Sequence, residues 1–150
     1  MVKNFEDYHI RICTAEDRPS LINFIHTYWK PNHVLAASME LLDWQHFDEI
    51  KQRYNFVLAQ HLKTQEIHGV LGFISPQHFD PGIKEGDIWL TTWKVRQEVA
   101  RVGLGLALYR FFGKGSSAAQ HSHGWTQPDE HTFLQIFGVS DGQVKAIFYP

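Results

Sequence analysis

The chain has 150 residues, the length of one ordinary domain, and its 43% hydrophobic and 14% aromatic fractions are enough to fill a core. With 20% charged residues and a net charge of −2 the composition is neither disordered nor fibrous, and without a Lys/Arg run it lacks the basic surface of a dedicated nucleic-acid binder. No apolar run approaches a membrane span, the start MVKNFEDYHIR has no signal-peptide core, and the single Cys13 excludes an internal disulfide, all of which point to a bacterial-type cytosolic protein.

Tyr8–Cys13 (YHIRIC) alternates between polar flanks and reads as a first strand. Thr14 before Ala15-Glu16-Asp17 is a helix start with acid in the first turn. Leu21, Ile22, Phe24, Ile25 and Tyr28 then follow at helical spacing, and Pro31 ends that helix. Leu35–Phe47 reads as a second helical segment with Leu41, Leu42, Trp44 and Phe47 as its apolar members. Asn55–Gln60 and Ile67–Ser75 read as two strands joined by the polar turn His61–Glu66, a hairpin. Pro76–Glu85 is a loop. Asp87–Val95, rich in Trp, Thr, Ile and Val, is a long strand.

Gly103–Phe112 is an apolar helix. Gly113–His131 is small and polar with no period and reads as a loop. Thr132–Val139 is a strand, and Asp141–Phe148 a short helical segment. No repeat or linker divides the chain, so residues 1–150 are expected to form one domain. The order β-α-α-β-β-β-α-β-α predicts an α/β fold with a mainly antiparallel sheet flanked by helices.

The most informative stretch is Gly86–Phe112: a strand, a short polar loop, then Gly103-Leu104-Gly105 opening a helix. The first N–H groups of a helix have no intrahelical acceptor, and together with the helix dipole they attract anions. Glycines there let a phosphate approach the backbone. The pattern points to a phosphate-bearing cofactor beyond the end of a strand.

Val95–Gly105 resembles the coenzyme A signature of the GNAT superfamily of N-acetyltransferases, in which a strand ending in Val leads through (Gln/Arg)-x-x-Gly-x-(Gly/Ala) into a helix. Gly103 and Gly105 match that spacing. Ala100 stands where the family has Gln or Arg, and Arg101 comes one place late. The resemblance covers most of the chain, and DIW…WKVR with GLGLALY is similar to GNAT proteins of bacterial capsule and O-antigen gene clusters.

The resemblance implies acetyl-CoA as acyl donor and no metal. The pyrophosphate would lie on the backbone of Arg101, Val102, Gly103, Leu104, Gly105 and Leu106. Pantetheine would pair with Trp93, Lys94 and Val95, in a gap where two parallel strands splay apart. The acceptor would be an amino group of a small molecule, an amino sugar among the options. His78-Phe79-Asp80-Pro81 and the Trp29–Trp44 segment are where the family meets its acceptor. Asp87 or Glu85 would accept the proton and Tyr149 would protonate the thiolate. The family has one or two further strands after its last helix, which this chain is expected to lack. A homodimer completing that sheet edge is one expectation. Two alternatives remain open: an acyl-CoA-binding pseudoenzyme or sensor, and a cofactor-free interaction domain.

Other motifs have plainer readings. His121, His123 and His131 suit a solvated loop more than a metal site. Gly113-Lys114-Gly115-Ser116 lacks the earlier glycine of a phosphate-binding loop and follows a helix. Cys13 reads as a core residue. Trp89, Thr91 and Trp93 are expected to share one strand face, with core packing as the default for both tryptophans.

Overall fold

The computed structural model describes residues 5–83, 88–100, 103–115, 137–140 and 143–146. The central sheet runs in the order β1 (Tyr8–Thr14), β3 (Arg53–His61), β4 (Ile67–Ile74), β5 (Trp89–Val95), and the two-residue β2 (Phe47–Asp48) also pairs with β3. Every ladder in it is antiparallel.

Strands β3 and β4 are buried on both faces, and their sequences read as near-continuous apolar runs for that reason. Tyr54, Phe56 and Leu58 of β3 face one core. Val57 and Ala59, one step out of phase, face the other. The sheet is therefore the middle of three layers, as the period of two requires.

The first outer layer is α1 (Arg18–Phe24), α2 (Val34–Ala37) and α3 (Met39–His46). A short 3-10 turn, Ala15–Asp17, precedes α1, and Pro19 occupies its first turn, where a missing N–H costs nothing. Arg11 grips both carboxylate oxygens of Asp17, and the Thr14 N–H donates to the same group at 2.7 Å. Burial alone would raise the Asp17 pKa, but those hydrogen bonds outweigh it and hold the carboxyl low. The helix closes in a π turn, Ile25–Trp29, with Lys30 N–H on the Ile25 carbonyl.

The Leu35–Phe47 helix expected from sequence is two helices. Ser38 is extended (φ −125°, ψ 108°), and its Oγ accepts from Leu41 N–H at 3.1 Å, so it caps α3 instead of continuing α2. Phe47 leaves the helix for β2. Leu21, Phe24, Ile25, Leu35 and Leu42 from this layer pack on Cys13 of β1 and on Tyr54, Phe56 and Leu58. Cys13 is fully buried and burial drives its thiol pKa far up, so it is the core residue its strand position suggested.

The opposite layer is α5 (Leu104–Gly115), preceded by the single turn α4 (Gln97–Ala100). Leu104 and Leu108 insert against Val57, Ala59, Leu71 and Phe73. The helix runs past the expected Phe112 to Gly115, and α4 occupies part of the expected polar loop.

A second, two-stranded sheet consists of β6 (Phe137–Ser140) and β7 (Gln143–Ala146). The helix expected over Asp141–Phe148 is thus overturned at Gln143–Ala146, which is strand. Ser140 pairs with Gln143, and the two residues between them in sequence are Asp-Gly, the dipeptide preferred in two-residue hairpins. Cα atoms of β7 come within 8 Å of β5. No helix among the described residues is long and apolar enough to cross a membrane.

His46, at the end of α3, is fully buried with its ring 4.4 Å from that of Phe56. Burial pushes its pKa down from 6.5 to about 4. Above pH 6.5 both folded and unfolded states are neutral there. As pH falls from 6.5 towards 4 the unfolded chain takes the proton first, so stability is lost in that window, by about 3 kcal/mol once complete. His46→Leu is expected to flatten the pH dependence of the urea midpoint between pH 6.5 and 4, while leaving the midpoint above pH 7 little changed.

Candidate coenzyme site

Among the described ladders of the central sheet, strand β5 comes last and pairs with β4. Its ladder slips between Leu71↔Trp93 and Phe73↔Leu90, so Thr91 and Thr92 together oppose Gly72. This is a β-bulge, which bends the strand and takes backbone groups out of the ladder.

The bulge also reverses which side chains share a face. Leu90 before it and Trp93 and Val95 after it all pack against the core that includes Leu104 and Leu108 of α5. Trp89 is left 70% exposed. The expected common face for Trp89, Thr91 and Trp93 is therefore wrong, because one extra residue inverts a period of two. The slip is visible in IWLTTWKV: the apolar residues Ile88, Leu90, Trp93 and Val95 skip a place at the Thr pair.

Behind the bulge, strand and sheet approach closely. A Cβ on Gly72 would lie 2.7 Å from Phe56 Cε1 and 2.8 Å from Thr91 Oγ1. On Gly69 it would lie 3.1 Å from Leu108 Cδ1 and 3.2 Å from Val95 Cγ2. These two glycines set the distance between β4 and its neighbours.

Past Val95 the chain turns into α5. Arg96 N–H donates to the His68 carbonyl at 2.8 Å, adding one bond beyond the ladder. Val99 N–H returns to Arg96 and Gly103 N–H to Ala100. Gly103 has φ +80°, a left-handed conformation that glycine adopts without strain. Its carbonyl accepts from Ala107 N–H at 3.1 Å. The N–H groups of Leu104, Gly105 and Leu106 are consequently the first of α5 and have no intrahelical acceptor. Backbone donors of this kind stand where the sequence led to the expectation of an anion site.

The two glycines have different tasks. Gly103 supplies the backbone turn, with nothing closer than Phe5 Cζ at 3.9 Å to a Cβ placed on it. At Gly105 a Cβ would come 3.3 Å from Trp93 Nε1 and 3.6 Å from Val95 Cγ2. Gly105 therefore brings α5 down onto β5. Leu104 is buried in the core, and the Trp93 ring stacks on Tyr109 with centroids 5.9 Å apart. Of the sequence-assigned coenzyme residues, Trp93, Lys94, Val95, Gly103, Leu104, Gly105 and Leu106 thus converge at the end of β5. Arg101 and Val102 lie outside the described residues, as do the candidate catalytic groups Asp87, Glu85 and Tyr149 and the histidines 121, 123 and 131. The expected parallel neighbour of β5 is not among the described ladders.

Around Arg96 lies a group of polar side chains that the motif reading passed over. Its guanidinium reaches Glu66 Oε2 at 3.1 Å and stands 4.0 Å from the centre of the Tyr28 ring. His68, the bulged residue of β4, accepts from or donates to Tyr8 Oη through Nδ1 at 2.9 Å and stacks on His61 at 5.0 Å. Burial first, and the Arg96 charge second, lower the His68 pKa. Nothing in the local sequence signals this cluster, since Tyr8, Tyr28, the hairpin residues His61, Glu66 and His68, and Arg96 are far apart along the chain.

On the α3 side, His78 donates from Nε2 to the Trp44 carbonyl at 2.7 Å. This places the Phe79 ring 4.9 Å from that of Trp44, with 44% and 63% of the two residues exposed. The segments expected to meet an acceptor thus join in an exposed aromatic pair. Among the described residues no three His, Cys, Asp or Glu side chains gather as a metal site.

No protein-family model matches this chain, and no curated protein does. Among solved structures it is similar to the aminoglycoside antibiotic 6'-N-acetyltransferase AAC(6')-Ih from Acinetobacter baumannii, with a TM-score of 0.53 and 15% identity over 95% of this chain and 97% of that one. The fold is thus GNAT-like: a mixed α/β structure whose open antiparallel sheet is flanked by helices.

The glycine geometry gives a ranked expectation. Gly103→Ala forces a Cβ into the left-handed region and is expected to cost about 1–2 kcal/mol. A β-branched residue there costs more, so Gly103→Val is expected to destabilise the fold further than Gly103→Ala. Gly72→Ala, which drives a methyl into Phe56 and Thr91, is expected to destabilise more than Gly105→Ala. Urea midpoints of the three alanine variants check the order.

Proposed function

We propose that this chain is an acetyltransferase that takes its acyl group from acetyl-CoA and passes it to an amino group of a small molecule, an amino sugar in particular. The observation that carries the reading is the conjunction at the end of β5: a bulged strand, last of the described sheet, followed by the turn α4 and then by a helix start with Gly103 at φ +80°. An edge strand offers backbone groups to an extended ligand, which suits the amides of pantetheine along Trp93–Val95. The donors of Leu104, Gly105 and Leu106 suit the pyrophosphate.

The chemistry is direct attack. The acceptor must lose a proton to expose its lone pair, and the nitrogen then adds to the thioester carbonyl. The carbonyl oxygen gains negative charge, which a preorganised backbone N–H stabilises. A donor at the Thr91–Thr92 bulge, outside the regular ladder, is suited to this. The C–S bond then breaks and the nitrogen gives up its second proton to solvent, leaving the neutral amide and the coenzyme thiolate. Asp87 or Glu85 is assigned the first proton and Tyr149 the last. The amino sugar is supported by the neighbour, an enzyme named for an aminoglycoside, and by the exposed pair Trp44 and Phe79, since aromatic faces suit the C–H faces of a sugar ring.

Ala100 favours a second reading. Without Gln or Arg at that place the site has one side chain fewer for the phosphates, which suits a coenzyme A-binding sensor that transfers nothing.

Acetyl-CoA at 100 times its Kd is expected to stabilise the protein by about 2.7 kcal/mol, read as a rise in melting temperature. Thiol release with a panel of amines and amino sugars then separates the two readings. A thermal shift without thiol release points to the sensor. No shift at millimolar acetyl-CoA overturns both, and leaves the cofactor-free interaction domain.

A further inference from the structure

Arg96 is the first residue after β5 and stands between the strand and the coenzyme loop. Its backbone is held on both sides, by its N–H on the His68 carbonyl and by its carbonyl under Val99 N–H. Its side chain is 10% exposed, and the guanidinium is enclosed by groups from separate elements. Tyr28, from the π turn after α1, lies under it at 4.0 Å. Glu66, from the β3–β4 turn, pairs with it at 3.1 Å, and Glu98 of α4 approaches it at 3.9 Å. His68 stands 3.7 Å from the same Glu66 oxygen, backed by His61 and Tyr8.

A planar guanidinium stacked on a ring and paired with a carboxylate has one orientation. The chain leaving Arg96 therefore starts α4 in one direction, and Gly103 with the first turn of α5 follows seven residues later. A loop pinned in its binding shape spares the ligand the cost of ordering it.

We propose that Arg96, clamped between Glu66 and Tyr28, is a positioning residue for the anion site at the start of α5. Arg96 touches no phosphate in this role; it acts through the loop it anchors. The role rests on the coenzyme A reading above.

Glu66 is half exposed, so Glu66→Gln removes the pairing charge with little risk to folding. If the competent loop population falls to one tenth, the Kd for coenzyme A rises about tenfold. Titration calorimetry with coenzyme A is expected to show that rise for Glu66→Gln and for Arg96→Gln. Tyr28→Phe keeps the ring face and is expected to bind as the wild type does. In the ligand-free protein, the amides of Val99 and Gly103 are expected to exchange faster in Glu66→Gln, with the melting temperature nearly unchanged. Equal affinity and equal exchange for wild type and Glu66→Gln would overturn the positioning role and leave the coenzyme reading intact. A wild-type protein that does not bind coenzyme A overturns both.

Discussion

Strand β4 has no spare room on either side, and the rest of the molecule is arranged around that fact. Gly72 leaves no space for a methyl between Phe56 and Thr91, and Gly69 little more between Leu108 and Val95. Glycines in a strand interior weaken it by themselves. Here they let β5 and α5 close onto the sheet, so that Leu71 and Phe73 of β4, Val57 and Ala59 of β3 and Leu104 and Leu108 of α5 form one core. The bulge at Thr91–Thr92 faces Gly72, and the close approach of Phe56 and Thr91 to that glycine fixes where it lies.

From that constraint the geometry of the candidate coenzyme site follows by short steps. Because α5 is pressed down at Gly105 against Trp93 and Val95, its first turn lies beside the end of β5. Because Gly103 takes φ +80°, the residue that opens α5 adopts a conformation an L side chain would strain. The result is a row of backbone donors near the end of the last strand in the described sheet. No side chain is needed to make such a site attractive to an anion, which is consistent with Ala100 standing where the GNAT pattern has Gln or Arg.

Much of the fold was legible in the chain. The alternation in YHIRIC and the apolar runs of β3 and β4 became strands in the expected places, with the polar turn between the latter two. The helix after Gly103 was legible too, because Leu104 and Leu108 recur at helical spacing. Two readings failed for local reasons. Leu35–Phe47 has apolar residues throughout, and only the capping habit of Ser38 divides it. Gln143–Ala146 is too short for its apolar residues to separate strand from helix, and the Asp-Gly pair before it was the better guide.

The sequence by itself determined what depends on neighbours along the chain: strand periods, the helix start, the turn glycine and the glycine spacing from Val95 to Gly105. Tertiary structure alone decided what depends on residues distant in sequence. The parity of Trp89 and Trp93 is set by pairing with β4, since a bulge is a mismatch between two strands. Gly105 reads as a phosphate glycine in the motif, yet its hydrogen faces Trp93 and Val95. Arg96 reads as a loop cation, but Glu66, thirty residues earlier, and Tyr28 from the helical layer enclose it. A side chain's partners are chosen by packing in three dimensions, and only local spacing can be read in one.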